Sequence, residues 1–200
     1  MRRKWLAITA FLIASVFWSR SISPVSAALP DYVKGSLGTA VVWGEAGAAG
    51  VTATCSFDAL ANAGGRMCAS VDLGATWDQD QIVILHVETG TAPAAGTTVE
   101  LYLAFSHDNT NWPGKVTGSD GAYPATIADN KKQLSLAAIL VATADTNTVL
   151  KQAPVIIRPT GRYVTPVVVN LLGQAFRDET TASDNGTRVF MVPLLTSVAD

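Results

Sequence analysis

The chain has 200 residues, of which 48% are apolar and only 15% are charged, with a formal net charge of −2. This composition is too apolar for a disordered chain and too often interrupted by Gly and polar residues for a multi-span membrane protein. The mildly acidic balance lacks the basic surface that nucleic-acid binding requires, so we expect no nucleic-acid partner.

The first 27 residues have the pattern of a secretory signal. Arg2, Arg3 and Lys4 precede an apolar segment over residues 5–18, and small residues follow up to Ala27. We expect this segment to be an apolar helix too short for the roughly 20 residues that span a bilayer. The alternatives are an uncleaved anchor, an N-terminal packing segment or a start assigned too far upstream. The anchor is the one route by which we expect membrane contact. Without residues 1–27 the chain keeps 10 basic and 16 acidic residues, a net charge of −6.

The remainder of the chain has the frequent turn residues that are typical of a β-protein. Residues 28–50 are rich in Gly and Ala and predict an extended lead-in with one short strand at 39–43. Residues 51–200 alternate short apolar segments with turns, which predicts a single β-sandwich domain. The predicted strands are residues 51–57, 66–73, 82–88, 99–106, 134–142, 155–158, 163–172 and 188–195.

The strand over residues 99–106 has the clearest alternation, with Val99, Leu101, Leu103 and Phe105 on one face. A short loop bearing Gly and Pro joins it to residues 82–88, which predicts an antiparallel hairpin. About eight such strands predict an all-β, antiparallel two-sheet β-sandwich that is jelly-roll-like, with no helix beyond the N-terminal segment.

Two prolines stand inside predicted strands. Pro166 interrupts residues 163–172 and Pro193 interrupts residues 188–195. Because proline cannot donate to a ladder, the sequence predicts that these are edge strands or carry bulges.

Cys55 and Cys68 are 13 positions apart. In an oxidising compartment they can form a disulfide, while two buried free thiols are the alternative. The chain lacks the four ligands at recognisable spacing that a structural zinc site needs. Asp72, Asp78 and Asp80 lack the glycine-bearing calcium loop, so we expect no metal.

The residues suited to catalysis are few. His86 lies within a strand, where a structural role is the simpler interpretation. Ser106, His107 and Asp108 are consecutive, whereas catalytic triads converge from separate elements. The sequence has no nucleophile elbow, metalloprotease motif or nucleotide-binding loop. We therefore predict that the protein is not an enzyme and needs no cofactor.

The loop that follows residue 106 is the best candidate for a contact surface. Asp108, Asn109 and Asn111 favour tight turns through side-chain hydrogen bonds to the backbone, and Ser106 precedes them. Such turns can hold Trp112 in a fixed orientation for a partner or a sugar. The alternative, which we favour, is that Trp112 packs into the core. Trp77 lies in another turn-rich segment and has the same two interpretations.

The order of these motifs is informative. The strand at residues 82–88 is followed by T-G-T-A-P, then V-E-L-Y-L and then S-H-D-N-T-N-W-P, which ends at Pro113. This order resembles small β-sandwich proteins of tailed bacteriophages and prophages, over residues 64–195. Asn109 stands where those proteins usually have glycine, and Asn also tolerates a left-handed turn.

The resemblance implies a virion structural component, such as a head decoration or minor capsid protein. It implies location in the virion, with capsid or other virion proteins as partners and homo-oligomerisation, and it supplies no catalytic residue. The S-x-D-x-x-x-W spacing from Ser106 to Trp112 also looks like loops of exported carbohydrate-binding sandwiches. The alternative function is therefore a secreted or periplasmic module that binds glycans or acts at the cell surface.

Overall fold

A computed structural model describes residues 33–125, 128–143, 148–178 and 186–198. Over these residues the chain forms two β-sheets packed face to face, which confirms the predicted all-β sandwich. The described residues form thirteen strands and not about eight, because many are too short to show an alternation in the sequence. They are β1 (Val33–Leu37), β2 (Val41–Gly44), β3 (Ala53–Thr54), β4 (Gly65–Met67), β5 (Val71–Asp72), β6 (Gln81–Glu88), β7 (Thr98–Ser106), β8 (Gly121–Tyr123), β9 (Ser135–Val141), β10 (Val149–Lys151), β11 (Val155–Ile157), β12 (Tyr163–Leu171) and β13 (Arg188–Val198).

One sheet has seven strands and the other has six. The seven-stranded sheet has the order β10–β6–β13–β2–β3, with β11 also on β6 and β1 also on β13. The six-stranded sheet has the order β8–β4–β12–β7–β9, with β5 also on β12. All the strand pairs are antiparallel except the short pair of β2 with β3.

The core lies between the two sheets and is built from alternate residues of each strand. In β6 the side chains of Val83, Leu85 and Val87 face inward and are buried. β2 contributes Trp43, which is also fully buried. Within residues 28–50, β2 confirms the short strand predicted at 39–43, and β1 is a further strand that was not predicted; both belong to the seven-stranded sheet. Other large side chains that are fully buried include Leu101, Leu103, Val164 and Met191.

The predicted hairpin of residues 82–88 with 99–106 is wrong. β6 pairs with β13, β10 and β11, whereas β7 pairs with β12 and β9 in the other sheet. The connecting residues 89–97 cross the sandwich, and stacked sheets are only about 10 Å apart. Alternation therefore identified both strands correctly, but it holds no information about which sheet each one joins.

The two prolines lie in central strands, contrary to the prediction of edges or bulges. The carbonyl oxygen of Pro166 accepts a hydrogen bond from Cys68 N–H at 2.9 Å, at the break between β4 and β5. The carbonyl oxygen of Pro193 accepts one from Gly38 N–H at 2.9 Å, at the break between β1 and β2. A residue in an antiparallel strand directs its nitrogen and its carbonyl to the same side. In both strands the proline nitrogen, which has no N–H, therefore faces a break in the neighbouring strand. No ladder hydrogen bond is lost.

Residues 107–134 cover part of the outer face of the six-stranded sheet. They contain β8 and a single helical turn, α1 (Ala128–Lys131), which corrects the prediction of a helix-free loop. They form a second apolar cluster with the outer side chains of β7 and β12, in which Ala104 and Val167 are fully buried. The outer side chains of β7 that contact this cluster are therefore not open to solvent.

The predicted signal segment at residues 1–27 lies outside the described residues. Among the described residues no helix is long and apolar enough to cross a membrane.

Candidate functional site at one end of the six-stranded sheet

Three segments converge where β5, β7 and β12 meet. Tyr163, the first residue of β12, lies opposite Ser106 of β7 on one side and opposite Asp72 of β5 on the other. This register brings together residues 72–77, 106–112 and 161–163, which we call the loop end.

The loop after β7 is fixed by one carboxylate. Asp108 Oδ1 accepts hydrogen bonds from the backbone N–H groups of Thr110 and Asn111, each at 2.9 Å. It also accepts one from Ser106 Oγ at 3.0 Å, and Asn111 Nδ2 donates to Asp108 Oδ2 at 2.6 Å. These bonds, with that from the Asn111 N–H the strongest, hold the pKa of Asp108 well below its usual value. Asn109 adopts φ +60°, the left-handed conformation that its side chain tolerates.

Trp112 packs inward from this loop. It contacts the second apolar cluster, and its indole Nε1 is buried without a hydrogen-bond partner among the described residues. Gly118, with φ +73°, lies so close that a Cβ there would stand 2.8 Å from that nitrogen. The loop that the sequence singled out therefore carries Trp112 on its packed side and its polar residues on the exposed side.

The exposed aromatic of the loop end is Trp77, which follows a short 3-10 helix (Gly74–Thr76). Its side chain meets the ring of His107 edge to face, with ring centroids 6.1 Å apart and planes at 86°. His107 is exposed, and Trp77 remains 36% exposed. Two aromatic rings from different loops thus form one exposed surface next to the Asp108 turn.

An ion pair between the residue before β12 and the end of β5 supports this surface. Arg162 donates from Nε and Nη2 to the two carboxylate oxygens of Asp72, both at 2.7 Å, in a bidentate arrangement. The same guanidinium lies 5.6 Å from the centre of the Tyr163 ring. The hydrogen bond from Arg162, followed by that from the Gly74 N–H, lowers the pKa of Asp72. Because the pair is exposed, it orients the segments more than it stabilises the fold.

The geometry of Ser106, His107 and Asp108 differs from that of a catalytic triad. The Ser106 hydroxyl donates to the Asp108 carboxylate, while the His107 ring lies against Trp77. His86 lies on the opposite sheet, on the outer side of β6, with Nε2 3.7 Å from Glu88 Oε1. Burial is the main cause that lowers the pKa of His86.

A buried linkage connects the two sheets. Cys55, just after β3, and Cys68, just after β4, are joined by a disulfide with their Cα atoms 4.5 Å apart. Beside it, Asp120 accepts hydrogen bonds from Arg66 at 2.8 and 2.6 Å and from Ser56 Oγ at 2.7 Å. Burial alone would raise the pKa of Asp120, but these hydrogen bonds outweigh it and lower the pKa.

The acidic residues noted in the sequence do not converge. Asp72 is engaged by Arg162, while Asp78 and Asp80 line a separate surface cavity of about 310 Å³ with Arg158. Over the part of the chain that the structure describes, no three His, Cys, Asp or Glu side chains are grouped to hold a metal ion.

Sequence reasoning identified the Asp108 turn but missed the pairing of Trp77 with His107 and of Asp72 with Arg162. Neither pairing has a local signal, because the partners lie far apart in sequence and meet only through the strand register.

Comparison with known proteins found no match to any family model, to any curated protein or to any solved structure.

Proposed function

We propose that this protein is a non-enzymatic structural component of a phage-type virion, a decoration or minor capsid protein that attaches through the loop end. The observation that carries the proposal is the exposed pair of Trp77 and His107 beside the Asp108 turn. A rigid aromatic surface bordered by polar groups is the usual form of an interface centre. We also propose that the sandwich belongs to the jelly-roll-like type.

Rigidity supports attachment in preference to chemistry. The Asp108 turn is held by four contacts within residues 106–111, and Arg162 fixes the neighbouring segment through Asp72. A surface that is ordered before binding loses less conformational entropy when a partner arrives. Loops on a β-sandwich scaffold commonly carry the binding residues for this reason.

The motif order over residues 64–195 supports a virion partner. Its most distinctive part is the run from Ser106 to Pro113, and that run forms one side of the loop end. The proposed partner is therefore the outer surface of a capsid or another head protein.

Co-sedimentation with purified tailed-phage particles from the encoding strain tests the proposal. We expect the chain to pellet with particles, and we expect Trp77→Ala to reduce the bound fraction at least tenfold while Trp77→Phe retains most of it. Pelleting that is equal for the chain and Trp77→Ala would show that the loop end is not the attachment surface.

The second candidate is an exported module that binds glycans. An exposed tryptophan beside amide and carboxylate groups suits stacking on a sugar ring with hydrogen bonds to its hydroxyls. The buried disulfide also supports an oxidising location outside the cytosol. Binding to insoluble cell-wall polysaccharide with loss in Trp77→Ala, and no pelleting with particles, would favour this candidate.

A further inference from the structure

The edge strand β9 is unlike the other sheet edges of the molecule. β9 is seven residues long, while the described edge strands β3, β5, β8, β10 and β11 have two or three residues and β1 has five, one of which is Lys34. From Gln133 to Thr143 the sequence carries no charge, no proline and no glycine. Natural sheet edges are normally shortened, charged or interrupted by proline, because an unprotected edge pairs with other chains.

The outer side chains of β9 form an apolar strip. Leu136, Ile139 and Val141 are 52%, 48% and 52% exposed. Their partners across the ladder are Tyr102, Glu100 and Thr98 of β7, all on the outer face of the six-stranded sheet. In contrast, Ala138 and Leu140 face inward and are buried. The strip is therefore a surface feature, while the strand itself is anchored in the core.

Over residues 138–142, one side of the β9 backbone has no partner strand among the described strands. The Ala142 N–H donates to Thr97 O, and Ala142 O accepts from the Gly96 N–H, both at 2.8 Å, so Ala142 faces the β7 side. Backbone direction alternates along a strand, so the N–H and C=O groups of Ile139 and Val141 point away from β7. Among the described strands β9 pairs with β7 alone. The strand has a register shift opposite Leu101 and Tyr102, but residues 138–141 remain regular.

We propose that β9 pairs antiparallel with β9 of a second copy of this chain, joining the two six-stranded sheets across a two-fold axis. A second strand can pair with the whole row of outward N–H and C=O groups, and an uncharged strand opposes no like charges when it meets itself. A two-fold axis normal to the sheet places Leu136, Ile139 and Val141 of both copies on the same face as one apolar strip. Two-fold dimers are the commonest closed assemblies.

The described chain starts far from β9. The described chain begins at β1, which pairs with β13, and β6 separates β13 from β10 and β11. β11 is the edge that lies beside β9. Residue 33 is thus on the far side of the sandwich from the free edge. The inference goes beyond the proposed function, because it holds whether the loop end binds a capsid or a glycan.

Analytical ultracentrifugation of the full chain from low to high micromolar concentration tests the pairing. We expect a concentration-dependent dimer with twice the mass of the 20.9 kDa chain. Ile139→Pro removes one outward N–H without removing a bond to β7, and we expect it to weaken dimerisation at least tenfold. Ile139→Val, which keeps the N–H and an apolar branched side chain, is the matched control and should still dimerise.

Two further measurements complete the test. Ile139→Lys puts a charge on a half-exposed side chain. We expect this variant to be folded by circular dichroism and to be monomeric, so it decides the test if Ile139→Pro fails to fold. Amide hydrogen exchange at Ile139 and Val141 should be slow in the dimer and fast in the dilute monomer. A chain that is monomeric throughout, a dimer unaffected by the Pro and Lys variants, or slow exchange at these amides in the monomer would each overturn the proposal.

Discussion

The ring of Trp77 meets the ring of His107 edge to face, and this contact joins the turn after β5 to the loop after β7. Trp77 is the exposed tryptophan of the loop end, while Trp112 packs against the second apolar cluster. Two tryptophans from turn-rich segments thus have different surroundings, and substitution of each should have a different effect.

We predict that Trp112→Ala lowers the free energy of unfolding by about 3 kcal/mol, the lower end of the range for a core tryptophan because the side chain is only partly buried. Trp77→Ala should change it by less than about 1 kcal/mol, since the ring lies at the surface and belongs to neither buried apolar cluster. Urea unfolding of both variants measures the difference. Equal stability losses would contradict the distinction between the packed and the exposed tryptophan.

The disulfide should account for a large part of the stability. Cross-linking two residues 13 positions apart restricts the unfolded chain by about 3 kcal/mol. We expect a reducing agent to lower the urea midpoint of the parent chain, and the double variant Cys55→Ala with Cys68→Ala to have a low midpoint that reductant does not change. An unchanged midpoint of the parent after verified reduction would show that the bond contributes little.

Acid should weaken the contact of Asp120 with Arg66 and Ser56. The folded pKa of Asp120 lies below its unfolded value near 3.9, so its contribution is fully present above about pH 4 and is lost as pH falls through the folded pKa. We expect Asp120→Asn to be less stable than the parent by about 1–2 kcal/mol at pH 7. The difference should shrink toward pH 2. Asp129→Asn, at an exposed i, i+3 pair with Lys132, is the control and should have little effect at either pH.

Neither histidine should be required for chemistry. His86 is held on the outer side of β6 with a lowered pKa, so glutamine replaces a neutral side chain of similar polarity. We expect the double variant His86→Gln with His107→Gln to fold normally and to bind its partner more weakly, because His107 belongs to the loop end. If preparations of the parent show a hydrolytic activity that this variant lacks, the non-enzymatic proposal is wrong.

The local parts of this structure were predictable from the sequence. Apolar segments bounded by turn residues located β6, β7, β9 and β12 to within one or two residues. β6 alternates because it buries one face, whereas β12 is buried on both faces and is a continuous run. The Asp108 turn was also predictable, since its hydrogen bonds join residues within three positions of the carboxylate. Asn109 has the left-handed conformation that its type tolerates.

The non-local parts were not predictable in the same way. Nothing within residues 82–106 shows that β6 and β7 belong to different sheets. Pro166 and Pro193 were assigned to edges because a proline has no N–H, but the breaks that accommodate them lie in neighbouring strands distant in sequence. The loop end has the same character, because Arg162 reaches Asp72 across 90 positions.

The most direct test of the proposed function is the protein content of gradient-purified tailed-phage particles induced from the encoding strain, quantified by mass spectrometry against the major capsid protein. The proposal predicts that this chain co-purifies at a fixed copy number per particle and remains after washing. Particles that are complete and contain none of the chain would contradict it.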